Sequence, residues 1–238
     1  MVKYISDKTG RFPSRPHYLP EELDHECEQV VTAFLKSLYG VVEFPISTDD
    51  ITRLIEKQVS YLDSYADLSE FGRDVEGVTE FHPGDKPTVQ ISTRLTEDER
   101  RENRLRTTLT HEFGHVHFHA PLFEKDHDQL SLLVVDPQQN IIICKRDGIL
   151  DAPSYDWMEW QAGYVCGAFL MPKSHLVRCV AEFANEMSAI YPVDPSSQVG
   201  YELIGLVAGK FQVSKDAARV RLSQLKYLVK GQGQKPIF

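Results

Sequence analysis

The chain has 238 residues, enough to bury a sizeable core as one domain or as a domain with a small appendage. Its apolar fraction of 42% and charged fraction of 26% are those of a soluble globular protein, and no apolar run is long enough to cross a bilayer. The formal net charge of −9 is uneven: residues 201–238 carry +5 and the preceding 200 residues carry −14.

Residues 1–8 lack the apolar stretch of a secretion signal, which predicts a cytoplasmic protein. Cys27, Cys144, Cys166 and Cys179 are scattered, with no Cys-x-x-Cys pair, and read as free buried thiols.

Residues 1–20 contain Pro13, Pro16 and Pro20 and little periodicity, which predicts an extended lead-in. From 21 to 39, Leu23, Cys27, Val31, Phe34, Leu35 and Leu38 recur at helical spacing as far as Gly40. Residues 41–46 are a short strand candidate. Ser47, Thr48, Asp49 and Asp50 then form a capping cluster before a second helix built on Ile51, Leu54, Ile55 and Val59. The pattern weakens into loops and short elements from Ser60 to Gly77.

Residues 77–81 and 88–92 alternate with β-branched side chains around a Pro- and Gly-containing turn, which predicts a hairpin. An exposed edge of that hairpin could take up an extended peptide as an added strand. Thr96, Glu97, Asp98 and Glu99 make an acidic helix start. Residues 130–135 and 141–144 form a second hairpin candidate, and a helix is expected from about 155 to 171, ended by Pro172. Another reaches about Met187, residues 191–197 read as a linker, and residues 203–211 and 215–228 have the outline of a helix-turn-helix.

The chemistry concentrates in His111-Glu112-Phe113-Gly114-His115. Leu105, Leu109, Phe113 and Val116 place this stretch on a helix, so His111 and His115 project from one face and can grip one metal ion. Glu112 lies on the flank, where it could hold a water without ligating the metal. Phe118 and Pro121 occupy the positions where a metzincin carries Gly and its third His.

His119 shares nearly the same face and is a geometric possibility, but three ligands on one straight helix cannot converge on a tetrahedral ion, so a role supporting the ligands or at the surface is expected of it. Glu159 on a second helix fits the third place, because it shares a face with Ala162, Gly163, Cys166 and Gly167, whose small size lets two helices approach closely. Asp156 is the alternative. Tyr155, Tyr164 and His127 are candidates for transition-state stabilisation; Arg104 and Arg106 are candidates for a substrate contact or a buried ion pair.

The run from Asn103 to His115, with Glu159-Trp160-Gln161-Ala162 and Phe169-Leu170-Met171-Pro172, resembles the ImmA/IrrE family of metallopeptidases. Residues 77–81, 211–214 and 221–225 are similar to its members too, so the resemblance covers most of the chain. It implies an α+β, mostly helical zincin-like metallopeptidase domain with a small antiparallel or mixed sheet, over residues 1–195, and a C-terminal helical module over 196–238.

The resemblance further implies one zinc ion per chain, with manganese as the alternative, on His111, His115 and Glu159, and Glu112 as catalytic base. The implied activity is site-specific cleavage of a helix-turn-helix transcriptional repressor, derepressing genes of a mobile element or a stress response. Many members carry Asn or Asp one turn after the ligand Glu; this chain has Gly163 there, which removes a customary support of the ligands. A non-proteolytic DNA-binding or adaptor protein acting through residues 203–228 is the alternative function, although the acidic body speaks against direct DNA binding.

Overall fold

The computed structural model describes residues 2–125, 140–145 and 156–231. The N-terminus is a hairpin of β1 (Lys3–Ser6) and β2 (Ser14–His17), not an extended lead-in. Its turn is folded by the Asp7 carboxylate, which accepts from the backbone N–H groups of Thr9 and Phe12. Phe12 is thereby pushed into a small aromatic core with Phe81, Phe123 and Trp157.

Helix α1 (Pro20–Tyr39) follows and ends at Gly40, as its periodicity predicts. Residues 41–46 form no strand; Pro45 has no N–H to give a ladder, and the segment is a loop leading to Ser47. The Ser47 side chain accepts from Asp50 N–H and starts α2 (Thr48–Glu56).

A four-stranded mixed sheet comes next, in the order β3 (Tyr61–Ala66), β5 (Thr88–Ser92), β4 (Val75–Glu80) and β6 (Ile141–Lys145). The predicted hairpin is the antiparallel β4–β5 pair. Both of its strands are interior: β3 covers β5 in parallel and β6 covers β4 antiparallel. Among the described residues, the sheet's edges are therefore β3 and β6 rather than the hairpin. The partner strand predicted for β6, at 130–135, lies outside the described residues.

The acidic start at 96–99 is split into the single turn α3 (Thr93–Thr96) and a 3₁₀ turn before α4 (Glu102–Lys125), the motif helix. Asp156 caps α5 (Trp157–Leu170), and Pro172 separates it from α6 (Lys173–Met187). The close packing expected of α4 and α5 is present: a Cβ added to Gly114 would come within 2.6 Å of Val165 and 3.2 Å of Ala162 Cα.

The C-terminal residues form α7 (Gln198–Phe211) and α8 (Lys215–Gln224). Their buried side chains, including Leu203, Val207, Phe211 and Leu222, share one continuous apolar core with α1, α2, α4, α5 and α6. The 191–197 stretch is tied down rather than free, because Val193 exchanges backbone hydrogen bonds with Tyr227 and Val229. No helix among the described residues is long and apolar enough to cross a membrane.

Candidate metal centre

Helix α4 enters the core with Phe113 and Leu109 on one side and carries His111, Glu112 and His115 into full burial on the other. The two imidazoles, one turn apart, face each other with Nε2 atoms 3.1 Å apart. Glu159 completes the group from α5, its Oε2 3.2 Å from His111 Nε2 and its Oε1 3.3 Å from His115 Nε2. Three side chains from two helices thus bring one nitrogen or oxygen atom each into a cluster that could hold a metal ion.

The electrostatics of the cluster favour a cation at its centre. Burial works against the Glu159 charge, yet the facing imidazoles of His115 and His111 outweigh it and hold the carboxyl well below the usual carboxylate range. The same pairing raises His115, against a burial effect that opposes its charge. Lone pairs of two imidazoles and a carboxylate pointed at one spot repel unless a proton or a metal ion lies between them. The donor set, two imidazole nitrogens and a carboxylate, is that of a His₂Glu zinc site.

His119 is not a ligand in this arrangement. It is fully buried beneath His115, with Nδ1 to Nδ1 at 3.0 Å, and its Nε2 meets Gln161 Oε1 at 3.1 Å. The Gln161 oxygen accepts, so His119 carries its proton on Nε2 and presents a bare Nδ1. That Nδ1 accepts the Nδ1–H of His115, which leaves His115 Nε2 as a free lone pair aimed at the cluster. Burial and the adjacent His115 push His119 well below the ordinary imidazole value, so it stays neutral, as an acceptor must. His119 and Gln161 thus supply from α4 and α5 a ligand support of the kind that Gly163 cannot.

Glu112 does not ligate the same point. Its Oε2 accepts a 2.6 Å hydrogen bond from Thr79 Oγ1 on β4, while Oε1 is buried without a hydrogen-bond partner. Burial raises its carboxyl above the ordinary range, against the lowering effects of His115, His111 and Thr79. The β4 backbone opposite is Gly77, and a Cβ there would overlap the carboxylate.

The remaining candidates have other places. Arg104, partly exposed, pairs with the buried Glu76 of β4 at 2.5 Å. Arg106, fully buried, donates to Gln212 Oε1 at 2.9 Å and Phe211 O at 3.2 Å, closing the end of α7. Tyr164 points away from the cluster: its hydroxyl donates to Pro20 O at 3.4 Å and its ring lies 5.5 Å from the Arg221 guanidinium. Asp156 accepts from the N–H of Glu159 at 3.3 Å and lies outside the three-residue cluster. Tyr155 and His127 lie outside the described residues.

Sequence reasoning passed over Gln161 and four further residues that shape the site. Thr79 and Gly77 meet Glu112 only through the sheet; an isolated Gly in a β-branched run is the signal of a close approach. Cys144 of β6 brings Sγ within 4.8 Å of ligand atoms of His111 and Glu112. Arg11, at the tip of the N-terminal hairpin, approaches Met158 Sδ at 3.7 Å and places its charge in the field of Asp156 and Glu159. No model of a known protein family matches the chain, and no curated protein matches it.

Proposed function

We propose that this protein is a zinc-dependent endopeptidase resembling the ImmA/IrrE metallopeptidases, with a helix-turn-helix repressor as its substrate. The observation that carries the reading is the convergence of His111, His115 and Glu159 from two helices, with Glu112 buried beside them but outside the ligand set. A zinc ion held there supplies Lewis acidity for a scissile carbonyl and lowers the pKa of water towards neutrality.

The chain's own residues do the rest. His119 and Gln161 hold the His115 ring in the ligating tautomer. Thr79 and the Glu112 backbone position fix the carboxylate, whose unpartnered Oε1 is available to accept a water proton. Burial raises that carboxyl, the direction that favours its returning the proton to the leaving amine.

The basic residues of the C-terminal helices lend less support to the adaptor alternative, because several are already engaged. Arg221 is fully buried against Asp24 at 2.7 Å, Arg219 pairs with Asp216, Lys210 with Glu182, and Lys215 bonds the Tyr201 hydroxyl.

The test is co-incubation with helix-turn-helix repressors of the organism that encodes this protein, comparing wild type with Glu112→Gln at equal zinc content. Cleavage by the wild type and not by the variant is the expected result. Equal cleavage by both, or none by either, overturns the reading.

A further inference from the structure

Glu159 lies in the first turn of α5, two residues after the helix begins at Trp157. The first turn of a helix is its least self-supporting part, because its N–H groups have no backbone partner within the helix. Asp156 caps one of them, accepting from the Glu159 N–H at 3.3 Å. The rest of the support must come from outside the helix. Trp157 and Met158, the two residues before Glu159, are both buried, and the N-terminal hairpin touches each of them.

Arg15 of β2 places its guanidinium 4.9 Å from the centre of the Trp157 ring, a cation–π contact. Phe12, in the turn between β1 and β2, meets the same indole with centroids 6.4 Å apart. Arg11 brings Nη1 to 3.7 Å from Met158 Sδ, and its guanidinium lies 5.4 Å from the Phe123 ring of α4. The hairpin thus bridges the two helices that carry the ligands. Trp157 also meets the His119 ring, 5.4 Å away and nearly perpendicular, and His119 Nδ1 lies 3.0 Å from His115 Nδ1. One contact chain therefore runs from the hairpin to His115, and another to the turn that holds Glu159.

We propose that the N-terminal hairpin is the positioning element of the metal centre, with Arg15 and Phe12 acting through Trp157 and Arg11 acting through Met158. The inference rests on the reading of His111, His115 and Glu159 as metal ligands and goes beyond it, since no hairpin residue belongs to that group. Groups that orient ligands from outside the coordination shell carry about 10–100-fold of metal affinity. Arg15, one of three such contacts here, is assigned the lower end of that range.

The coupling is reciprocal: the factor by which a docked hairpin raises zinc affinity is the factor by which zinc favours hairpin docking. Two peptide bonds report on it separately. The Arg11–Phe12 bond joins a half-buried residue to one 6% exposed, so trypsin cuts there when the hairpin lifts. The Lys210–Phe211 bond ends in a core residue of α7, 1% exposed, and is cut when the core opens.

The experiment measures zinc affinity against a competing chelator, and the visible spectrum of the cobalt-loaded chain, in full-length wild type, Arg15→Ala, Arg15→Lys and Lys8→Ala. Arg15→Ala is expected to bind zinc about tenfold more weakly and to change the cobalt band. Arg15→Lys keeps a cation over the indole and recovers most of the loss; Lys8→Ala, at the exposed turn, matches wild type. Tryptic cleavage of the wild type gives a mutation-free reading. Removing zinc is expected to speed cutting after Arg11 about tenfold or more, with cutting after Lys210 unchanged. Wild-type zinc affinity in Arg15→Ala, or cutting after Arg11 that ignores zinc or merely follows cutting after Lys210, overturns the proposal and leaves the ligand group standing. No tight zinc in the wild type overturns both.

Discussion

Thr79 donates to Glu112 across 2.6 Å, so the candidate base is held by the sheet as well as by its own helix. A hydrogen bond to a charged group contributes about 1.5–3 kcal/mol, and one pH unit corresponds to about 1.4 kcal/mol. Thr79→Val removes a bond that lowers the Glu112 carboxyl and therefore raises it further. A base works deprotonated, so the acidic limb of the cleavage rate moves to higher pH, while Thr79→Ser leaves it in place. Cleavage rates of the three proteins against pH check this.

Gly77 presses on the same carboxylate from the β4 backbone. Gly77→Ala displaces Glu112 while leaving His111, His115 and Glu159 untouched. The expected outcome is a loss of about 10²–10⁴-fold in cleavage, the share of a general base, with zinc content unchanged. Turnover and metal analysis on one preparation separate the two effects.

His119 makes a paired prediction on affinity and stability. His119→Phe leaves the Nδ1–H of His115 without its acceptor and is expected to weaken zinc binding about 10–100-fold. His119→Gln can both accept from His115 and donate to Gln161, and recovers most of it.

The stability effect has a definite sign. The folded-state pKa of His119 lies below the ordinary value of 6.5, so the unfolded chain takes up the proton first. The stability of the metal-free protein is thus complete above pH 6.5 and falls as pH drops from there towards the depressed folded value. Urea titrations across that range are expected to show a shallower acid loss for His119→Gln.

How much of this could be read in the sequence differs by element. The motif helix and the Glu159 helix announce themselves, because apolar spacing and the small residues facing Gly114 are local properties of each segment. Strand β3 does not: Tyr61-Leu62-Asp63-Ser64-Tyr65-Ala66 lies at an edge, with Tyr61 and Tyr65 exposed, and lacks a buried-exposed alternation. The N-terminal hairpin is equally silent, since Asp7 folds its turn and a distant aromatic core receives Phe12. Thr79, Gly77 and Cys144 reach the site through strand register, which only tertiary structure sets. Arg106 and Arg221 are charged in sequence and fully buried in the fold because their partners, Phe211 and Gln212 in one case and Asp24 in the other, come from distant parts of the chain.

That last feature predicts the behaviour of the C-terminal segment. Arg221→Met leaves buried Asp24 with only the longer 3.9 Å pairing to Lys173 and costs about 3–5 kcal/mol, whereas the double variant Asp24→Asn, Arg221→Met costs less. A chain ending at residue 195 exposes the core surface that Leu203, Val207, Phe211 and Leu222 cover, and is expected not to fold. Chemical denaturation of the variants and circular dichroism of the truncation check both.

The proposed hydrolysis requires that His111, His115 and Glu159 together hold one zinc ion. It is tested most directly by measuring zinc per chain and zinc affinity, against a competing chelator, in wild type and Glu159→Ala. One tightly held zinc in the wild type, and loss of that tight binding in the folded variant, is the result predicted. Zinc held as tightly after Glu159→Ala, or no tight zinc in the wild type, contradicts the account.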